Sequence, residues 1–324
     1  MWRRRAAVCR RESARRRASS FMRYSASEGR SKMAQFVQQM INGLSIGSVY
    51  ALMAVGYSLV YSIMSFSNFA HGGVIMLGSY FGFYLLTLAR WAFPAAFVGA
   101  ALCSAGLAVI VERVAYRPLR LRNAPFLYFI ISAMGASIFL ENFVVATIGP
   151  TFKTYPTVLP RAPIEIGPIY IGRLDIMIFI ISAVCLALLV YFLDRTKVGK
   201  AVQATAHNAR AAKLMGINTD LVITLVFAIG GLLAGVAGVM FGMKYTVYPQ
   251  MGGITIKSFI AAVFGGLGSL PGAVIGSLIL GIMETLISGY FSSQFRDLIS
   301  FTLLIAVLVF RPMGLMGKAT EEKA

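Results

Sequence analysis

Asn68-Phe69-Ala70-His71-Gly72 is the stretch of sequence that decides the fold of this chain. It is a short polar segment with a glycine inside residues 33–89, a run that contains no Asp, Glu, Lys or Arg. A helix rises about 1.5 Å per residue, so a single helix over that run would exceed twice the roughly 30 Å thickness of a membrane's hydrocarbon core. The run therefore has to turn back, and the polar segment is where it can do so.

The asparagine and the histidine in this segment indicate more than a membrane anchor. Irregular backbone at membrane depth survives only where it is buried in protein or lines an aqueous path. We therefore predict that Asn68, His71 and Gly72 belong to a translocation path through a broken helix. A purely structural membrane subunit would not need such a break, so that class of function is disfavoured.

The composition is that of a membrane protein. Hydrophobic residues make up 58% of the chain and charged residues 13%, and the mean hydropathy is +0.75. A soluble domain would carry about 25% charged residues. Cys9, Cys103 and Cys185 are scattered without a C-x-x-C pair, which predicts neither a disulfide framework nor a metal site.

Residues 1–32 form a basic N-terminal extension that holds 11 of the 30 Lys and Arg and two acids, so the rest of the chain carries +9 of the net +18. A nucleic-acid-binding arm is disfavoured because the remainder has no DNA-reading motif. A transit peptide fits the Arg- and Ser-rich composition. We favour a start of translation at Met33, because Met33 leads directly into the first apolar helix. Residues 1–32 are thus predicted to be disordered or to precede the true start.

Eight apolar segments are candidate membrane crossings, and a ninth at 254–263 is a shorter helix. The fold class predicted is all-α, a polytopic membrane bundle of roughly eight transmembrane helices with a broken or re-entrant helix. The membrane domain covers residues 33–311, and residues 312–324 form a cytoplasmic tail. The eight segments are 41–64, 73–89, 93–111, 126–148, 176–193, 221–243, 272–286 and 298–310.

Lys and Arg cluster in 112–122, in 194–213 and after Phe310, which predicts that these segments are cytoplasmic. The proline-rich loop 149–173 should face the opposite side. Three crossings before the first cluster would place Met33 outside, whereas the basic extension would favour the inside. The two agree only if the extension is not translated or if residues 65–72 conceal an extra passage.

Glycines are spaced for close helix packing, since small residues let helices approach each other in lipid. Plain bundle packing explains this pattern, and helices that slide as a gate are the alternative. Residues 265–272 break two apolar helices and read as a hinge or re-entrant turn rather than a phosphate-binding loop. The hinge and packing residues predicted are Gly231, Gly235, Gly265, Gly266, Gly268, Pro271 and Gly272.

The segment 199–216 is dense in alanine, which favours one short cytoplasmic helix ending at Gly216, with Asn218 capping the next membrane helix. Such a helix is suited to dock in a partner's groove, and the alternative is a solvated connector. Ala209→Pro should break it and abolish transport. The docking residues predicted are Ala206, His207, Asn208, Ala209, Ala212, Leu214 and Gly216.

Few ionisable residues lie inside the apolar segments, namely Glu141, Lys257 and Glu284. Intramembrane charges are functional candidates by default, and we assign Glu284 to the translocation path. The sequence lacks the chain of acids that proton-driven carriers often need. It also lacks a Ser/His/Asp set, an H-E-x-x-H motif and paired carboxylates, so membrane enzyme chemistry is unsupported.

The chain resembles the permease subunit of branched-chain amino acid ABC importers, of the LivH type, over about residues 33–317. Four blocks carry the resemblance. They are the segment 42–61 with Gly43 and Gly47, the break at 68–72, Leu214-Met215-Gly216-Ile217-Asn218-Thr219-Asp220, and the segment 264–273 with Gly281 and Glu284 further on.

The resemblance implies a multi-pass permease of the bacterial inner membrane, in contact with lipid and not with nucleic acid. Its partners would be a second similar permease, two cytoplasmic ABC ATPases that hydrolyse the ATP, and a periplasmic or extracellular substrate-binding protein. The chain itself would hold no cofactor and would not be an enzyme. Residues 206–216 match the family's ATPase-contacting loop, although the family often has an acid or Gln where this chain has His207 or Asn208.

Leucine, isoleucine and valine are the substrates that the resemblance implies, while relatives are assigned to urea, short amides and other amino acids. The competing class of protein is a secondary amino acid transporter that uses an ion gradient. It would share the helix count and the broken helices. It would not need the alanine-rich docking helix.

Overall fold

The computed structural model describes residues 2–158, 163–166, 169–311 and 313–317, with side chains from residue 33 onward. A π-helical turn, Glu112–Tyr116, joins α3 to α4, and a 3-10 turn, Pro249–Ile254, precedes α10. The helices are α1 Trp2–Met64, α2 His71–Thr87, α3 Phe93–Val111, α4 Arg117–Leu121, α5 Phe126–Ile148, α6 Arg173–Arg195, α7 Lys197–His207, α8 Ala209–Leu214, α9 Thr219–Lys244, α10 Thr255–Gly265, α11 Leu270–Tyr290 and α12 Phe295–Phe310.

The all-α prediction is confirmed for the described residues apart from one short hairpin, in which β1 Ile164–Ile166 pairs antiparallel with β2 Ile169–Ile171. Six helices are long and apolar enough to cross a membrane. Two more helices, α2 with 17 residues and α12 with 16, are just shorter than the 18 residues required of a span. The count of eight membrane helices therefore stays a prediction. The predicted short helix is present as α10.

α1 is the central helix of the bundle. Its most apolar window is 94% buried inside the protein, whereas that of α5 is 17% buried and turns large apolar side chains outward. Close backbone contact explains the burial, because a Cβ on Gly281 of α11 would overlap the Cα of Gly47 on α1. Small residues at such a contact let two helices approach without interlocking side chains.

α9 is the second helix at the centre, and its glycines meet three neighbouring helices. A Cβ on Gly235 would lie 2.6 Å from Oγ of Ser104 on α3, and one on Gly238 would overlap the carbonyl oxygen of Ile75 on α2. Gly230 faces Gly56 of α1. These close contacts fit the packing role predicted for Gly231 and Gly235, which stays a prediction.

Gln38 of α1 lies at the same end of the bundle as the loop between α5 and α6. Nε2 of Gln38 donates to the carbonyl oxygen of Tyr170 at 2.7 Å, and the Tyr170 N–H donates to Oε1 of Gln38 at 3.0 Å. Residues 65–70 contain no helix and join α1 directly to α2. An extra passage hidden in this segment is therefore ruled out.

α10 and α11 form a tight helical hairpin at the opposite end. A Cβ on Gly265 would overlap the carbonyl group of Gly272, and Gly266 has a φ of 112°, which favours glycine. The chain after α12 closes over this turn, since the N–H of Leu315 donates to the Phe264 carbonyl and that of Met316 to the Gly265 carbonyl, both at 2.9 Å. Position 312 and residues 318–324 of the predicted tail lie outside the described residues.

Candidate functional site

The break in the long apolar run begins after Met64, where Ser65 adopts a φ of 54°. His71 and Gly72 open α2, so they lie in its first turn rather than within the irregular segment, which corrects the predicted position of the break. Asn68 lies in the irregular segment and is buried. Its Oδ1 accepts a hydrogen bond of 2.6 Å from the Tyr116 hydroxyl, at the end of the π-helical turn.

A small cavity of about 10 Å³ lies beside the break, enough for about one water molecule. The cavity brings together three of the predicted site residues, Asn68, His71 and Gly231, with Phe227 closing another side. His71 is 3% exposed, and its Nε2 makes no hydrogen bond within the described part of the chain. Most of the cavity lining is apolar, and Asn68 and His71 are its polar side chains. A buried, unpaired ring nitrogen beside such a cavity is suited to meet a polar group that enters there.

Gly72 lets the 3-10 turn approach the start of α2. A Cβ at this position would overlap the Gly252 carbonyl oxygen and Oγ1 of Thr255. Gly72 therefore does not line the cavity but holds the break against the element that leads into α10. Any larger residue would push the two elements apart.

Aromatic rings close the bundle around the break. The ring of Phe66 lies 5.1 Å from that of Tyr116 and 5.3 Å from that of Phe129, and the ring of Tyr116 lies 5.4 Å from that of Phe227. Edge and offset contacts at these distances are favourable. Sequence reasoning missed this cluster, because Tyr116 lies among arginines predicted to be cytoplasmic and carries no signal of burial.

Glu284 lies apart from the cavity in a polar network of its own. Oε2 accepts from the Tyr50 hydroxyl at 2.9 Å, and Oε1 accepts from the Ser300 hydroxyl at 2.9 Å and lies 2.9 Å from Nζ of Lys257. Lys257 also lies 2.9 Å from the exposed carboxylate of Asp297. Two of the three ionisable residues predicted to lie within the membrane thus pair with each other, and their contacts tie α1, α10, α11 and α12 together.

A second ion pair joins three helices at the end of the bundle where the α5–α6 loop lies. Nζ of Lys244 lies 2.5 Å from Oδ1 of Asp175 and donates to Oγ of Ser45 at 2.9 Å, which links α9, α6 and α1. Sequence reasoning missed this pair because both charges sit at helix ends, where charged residues are ordinary. Among the described residues, no cluster of three or more His, Cys, Asp or Glu could hold a metal ion.

The single cytoplasmic helix predicted at about 200–216 is wrong, because Asn208 divides it into α7 and α8. Asn208 has φ −159° and ψ 100°, and its Oδ1 accepts from the N–H groups of Arg210 and Ala211, both at 3.0 Å. This cap starts a new helix and outweighs the helix propensity of the alanines. The residue is present in the sequence, but its capping role depends on a backbone turn that propensity does not foresee.

The predicted end of this segment and the start of the next helix are confirmed. Gly216 has a φ of 83°. Its N–H donates to the Lys213 carbonyl oxygen, and the Ile217 N–H donates to the Ala212 carbonyl oxygen, so α8 ends in a Schellman motif. Oδ1 of Asn218 accepts from the Leu221 N–H at 3.2 Å and caps α9. α8 is therefore joined to α9 by a short, well-defined connection.

The exposed surface of α8 is apolar at its tip. Leu214 is 89% exposed and Met215 is 83% exposed, with the cations Arg210 and Lys213 alongside. Ala212 is buried against the bundle, so it supports α8 rather than presenting a surface. Of the other predicted docking residues, Ala206 is half-buried, and the exposed ones are His207, Asn208, Ala209 and Gly216.

The predicted hinge residues meet at the α10–α11 turn. Gly266 and Gly268 both have positive φ, and Pro271 lies in the first turn of α11, where it needs no hydrogen-bond partner. The Gly268 N–H donates to Oγ of Ser58 at 3.1 Å, which anchors the turn to α1. The turn is thus a defined structure, and its movement as a hinge stays a prediction.

Known proteins with this sequence pattern share a common description. A family model described as "Branched-chain amino acid transport system / permease component" matches residues 39–308. The high-affinity branched-chain amino acid transport system permease protein BraD of Pseudomonas aeruginosa is 41% identical over 302 residues, which cover 89% of this chain and 98% of BraD. The corresponding LivH protein of Escherichia coli strain K12 is 42% identical over 302 residues, which cover 89% of this chain and 97% of LivH.

A solved structure supports the fold alone. A protein described as a metal-chelate type ABC transporter, in an inward-facing conformation, superposes with a TM-score of 0.51 at 15% identity. The match covers 85% of this chain and 87% of the other.

Proposed function

We propose that this chain has the transport function of its family. It belongs to the permease components of branched-chain amino acid transport systems. It forms the membrane path of an ATP-driven importer for leucine, isoleucine and valine. The observation that carries this substrate class is the identity of 41% and 42%, over nearly the whole length, to two high-affinity permeases of that description.

The chain resides in the bacterial inner membrane as a multi-pass protein. Six helices long and apolar enough to span, together with outward-facing apolar side chains on α5 and α12, support this location. A second permease of similar type completes the path, and an external substrate-binding protein delivers the amino acid. That binding protein sets much of the choice of substrate.

Two cytoplasmic ATPases hydrolyse the ATP, and α7 and α8 are the docking segment. The exposed Leu214 and Met215 supply the apolar contact, and Arg210 and Lys213 flank it with positive charge. Exposed apolar side chains of this size at a cytoplasmic surface are suited to a pocket on a partner. The chain itself carries out no chemistry and needs no cofactor.

Transport follows from a change in how the central helices pack. ATP binding closes the ATPase pair and displaces α8, and the short connection at Ile217 passes this displacement to α9. The contacts of α9 with α1, α2 and α3 are made through glycines, which lack interlocking side chains and so allow the helices to shift. The shift opens the cavity at Asn68 and His71, provided that ATP favours one of the two arrangements.

The test of this function is uptake of labelled leucine by bacteria deleted for their own leucine importers, with and without this gene and its neighbouring transport genes. Separate samples receive arsenate, which drains ATP, and a protonophore. Uptake that depends on the gene, stops with arsenate and largely survives the protonophore supports the proposal. Uptake that stops chiefly with the protonophore would indicate an ion-coupled carrier, and uptake of labelled urea or amides instead of leucine would overturn the substrate.

The docking segment is tested by co-purification. Leu214→Asp with Met215→Asp should remove the ATPase subunits from the purified permease, while the permease stays in the membrane. Leu121→Asp is the matched control, since Leu121 is 65% exposed and lies in 112–122, a different segment predicted to be cytoplasmic. Equal loss of ATPase in both variants would contradict the assignment of the docking surface to α8.

A further inference from the structure

Glu112 is a buried carboxylate that the proposed transport function does not use. It is 0% exposed and begins the π-helical turn between α3 and α4. Single π-helical turns inside helices are frequent at functional sites, because they displace side chains from their usual positions. A charge buried this deeply persists only with partners that satisfy it.

Each oxygen of Glu112 is bound by a different element. Oε1 lies 3.0 Å from Nη1 of Arg120 on α4, and Oε2 accepts a hydrogen bond of 3.2 Å from the Thr224 hydroxyl on α9. Nη2 of Arg120 lies 3.1 Å from Oδ1 of Asp220 in the first turn of α9, an ion pair without hydrogen-bond geometry. One guanidinium group thus joins a buried carboxylate to a half-exposed one. Through Arg120 and through Thr224, the π-helical turn at the end of α3 is tied to α9.

The Glu112–Arg120–Asp220 cluster lies between the docking segment and the break. On one side, Asp220 follows the Schellman end of α8 by only four residues, across the cap at Asn218. On the other side, Tyr116 ends the same π-helical turn that Glu112 begins, and its hydroxyl binds Asn68. A displacement of the start of α9 therefore acts through the cluster on the π-helical turn, and through that turn on the break.

We propose that Arg120 is a positioning residue that couples the docking segment to the break, because its contacts with Glu112 and Asp220 make α9 and the π-helical turn move together. The inference rests on the proposed function, in which ATPase subunits displace α8. It goes beyond that function by naming the contact that carries the displacement to Asn68.

Asp220 is the position that separates this role from a purely structural one. Its side chain is 47% exposed, and exposed ion pairs contribute little to stability. Asp220→Asn should leave the amount of assembled complex unchanged, because Glu112 keeps its partners Arg120 and Thr224. Asp194→Asn is the matched control, since Asp194 is another acid of the segments predicted to be cytoplasmic and contacts Gln203 instead of the cluster.

The experiment measures movement at the break without using the transported substrate. In the assembled complex, in nanodiscs, the native cysteines are replaced by serine and Ser67→Cys is labelled with a water-soluble maleimide. The labelling rate is measured without nucleotide and with ATP plus vanadate. With Asp220→Asn the nucleotide-dependent ratio of rates should fall at least about twofold, within the range by which residues along a coupling path act. Leucine transported per ATP hydrolysed should fall by a similar factor.

Two further variants test Arg120 itself. Glu112→Gln with Arg120→Gln removes both charges, so that neither is left unpaired, and should also reduce the ratio. Arg120→Lys keeps the positive charge but cannot reach Glu112 and Asp220 with two separate nitrogens. Its ratio should lie between that of the double variant and that of the complex with Arg120. An unchanged ratio in Asp220→Asn, or an equal fall in Asp194→Asn, overturns the inference. The inference is also overturned if the labelling rate at Ser67→Cys is the same with and without nucleotide in the complex that carries no cluster substitution. The proposed function is decided separately, by leucine uptake.

Discussion

The Tyr116 hydroxyl lies 2.6 Å from Oδ1 of Asn68, and both side chains are buried. The bond joins the π-helical turn at the end of α3 to the irregular segment between α1 and α2. Because Asn68 interrupts a run that is otherwise apolar, this contact decides where the interruption is held in the bundle.

Tyr116→Phe should destabilise the protein by about 1–3 kcal/mol, because it leaves a buried amide oxygen without its donor. Leucine uptake should fall as the break loses its fixed position. Thermal unfolding of the purified permease in detergent measures the first effect. Tyr191→Phe is the control, since that tyrosine is 65% exposed. Equal melting temperatures of the two variants would show that the Tyr116–Asn68 hydrogen bond does not stabilise the protein.

Lys257→Met should cost about 3–5 kcal/mol, because it leaves the buried Glu284 carboxylate without its counter-ion. Asp297→Asn should change stability by less than about 1 kcal/mol, since Asp297 is 70% exposed. Both are measured as the melting temperature of the purified permease. Adding Glu284→Gln to Lys257→Met should recover much of the loss, and a double variant as unstable as the single one would argue against the pair.

Gly281→Ala should destabilise the bundle by about 1–3 kcal/mol, since the added methyl group meets the Gly47 backbone and forces α1 and α11 apart. Gly106→Ala on α3 is the matched control. Nothing lies within 4 Å of its added Cβ, so it should be neutral or stabilise by up to about 1 kcal/mol. The amount of each variant in the membrane and its melting temperature provide the check, and identical behaviour would discount the glycine contact.

Ala209→Pro should be tolerated, contrary to the expectation from sequence. Ala209 is the first residue of α8, where proline fits, and the extended backbone of Asn208 is compatible with a following proline. Ala212→Pro should instead abolish leucine uptake, because the Ala212 N–H donates to the Asn208 carbonyl at 3.0 Å. Uptake and membrane level are measured for both. Loss of uptake with Ala209→Pro at a normal membrane level would instead support a continuous helix through Asn208.

Several features followed from the sequence because their causes are local. An uncharged run of 57 residues is too long for a single membrane crossing, so the turn before α2 was predictable. The short helix α10 was also predicted from its apolar sequence. Gly216 and Asn218 were recognised as a helix end and a cap because those roles depend on one residue's backbone freedom or one side-chain acceptor. The family followed from four blocks of residues.

The tertiary structure decided what depends on partners distant in the chain. Asn68 meets Tyr116, Glu284 meets Lys257 and Tyr50, and Arg120 meets Asp220, although nothing in the local pattern pairs them. Asn208 divided a segment with high helix propensity, because the new turn placed its oxygen against two free N–H groups. Propensity and hydrophobic period act over a few residues, whereas the position of a buried polar group is set by whichever helix supplies its partner.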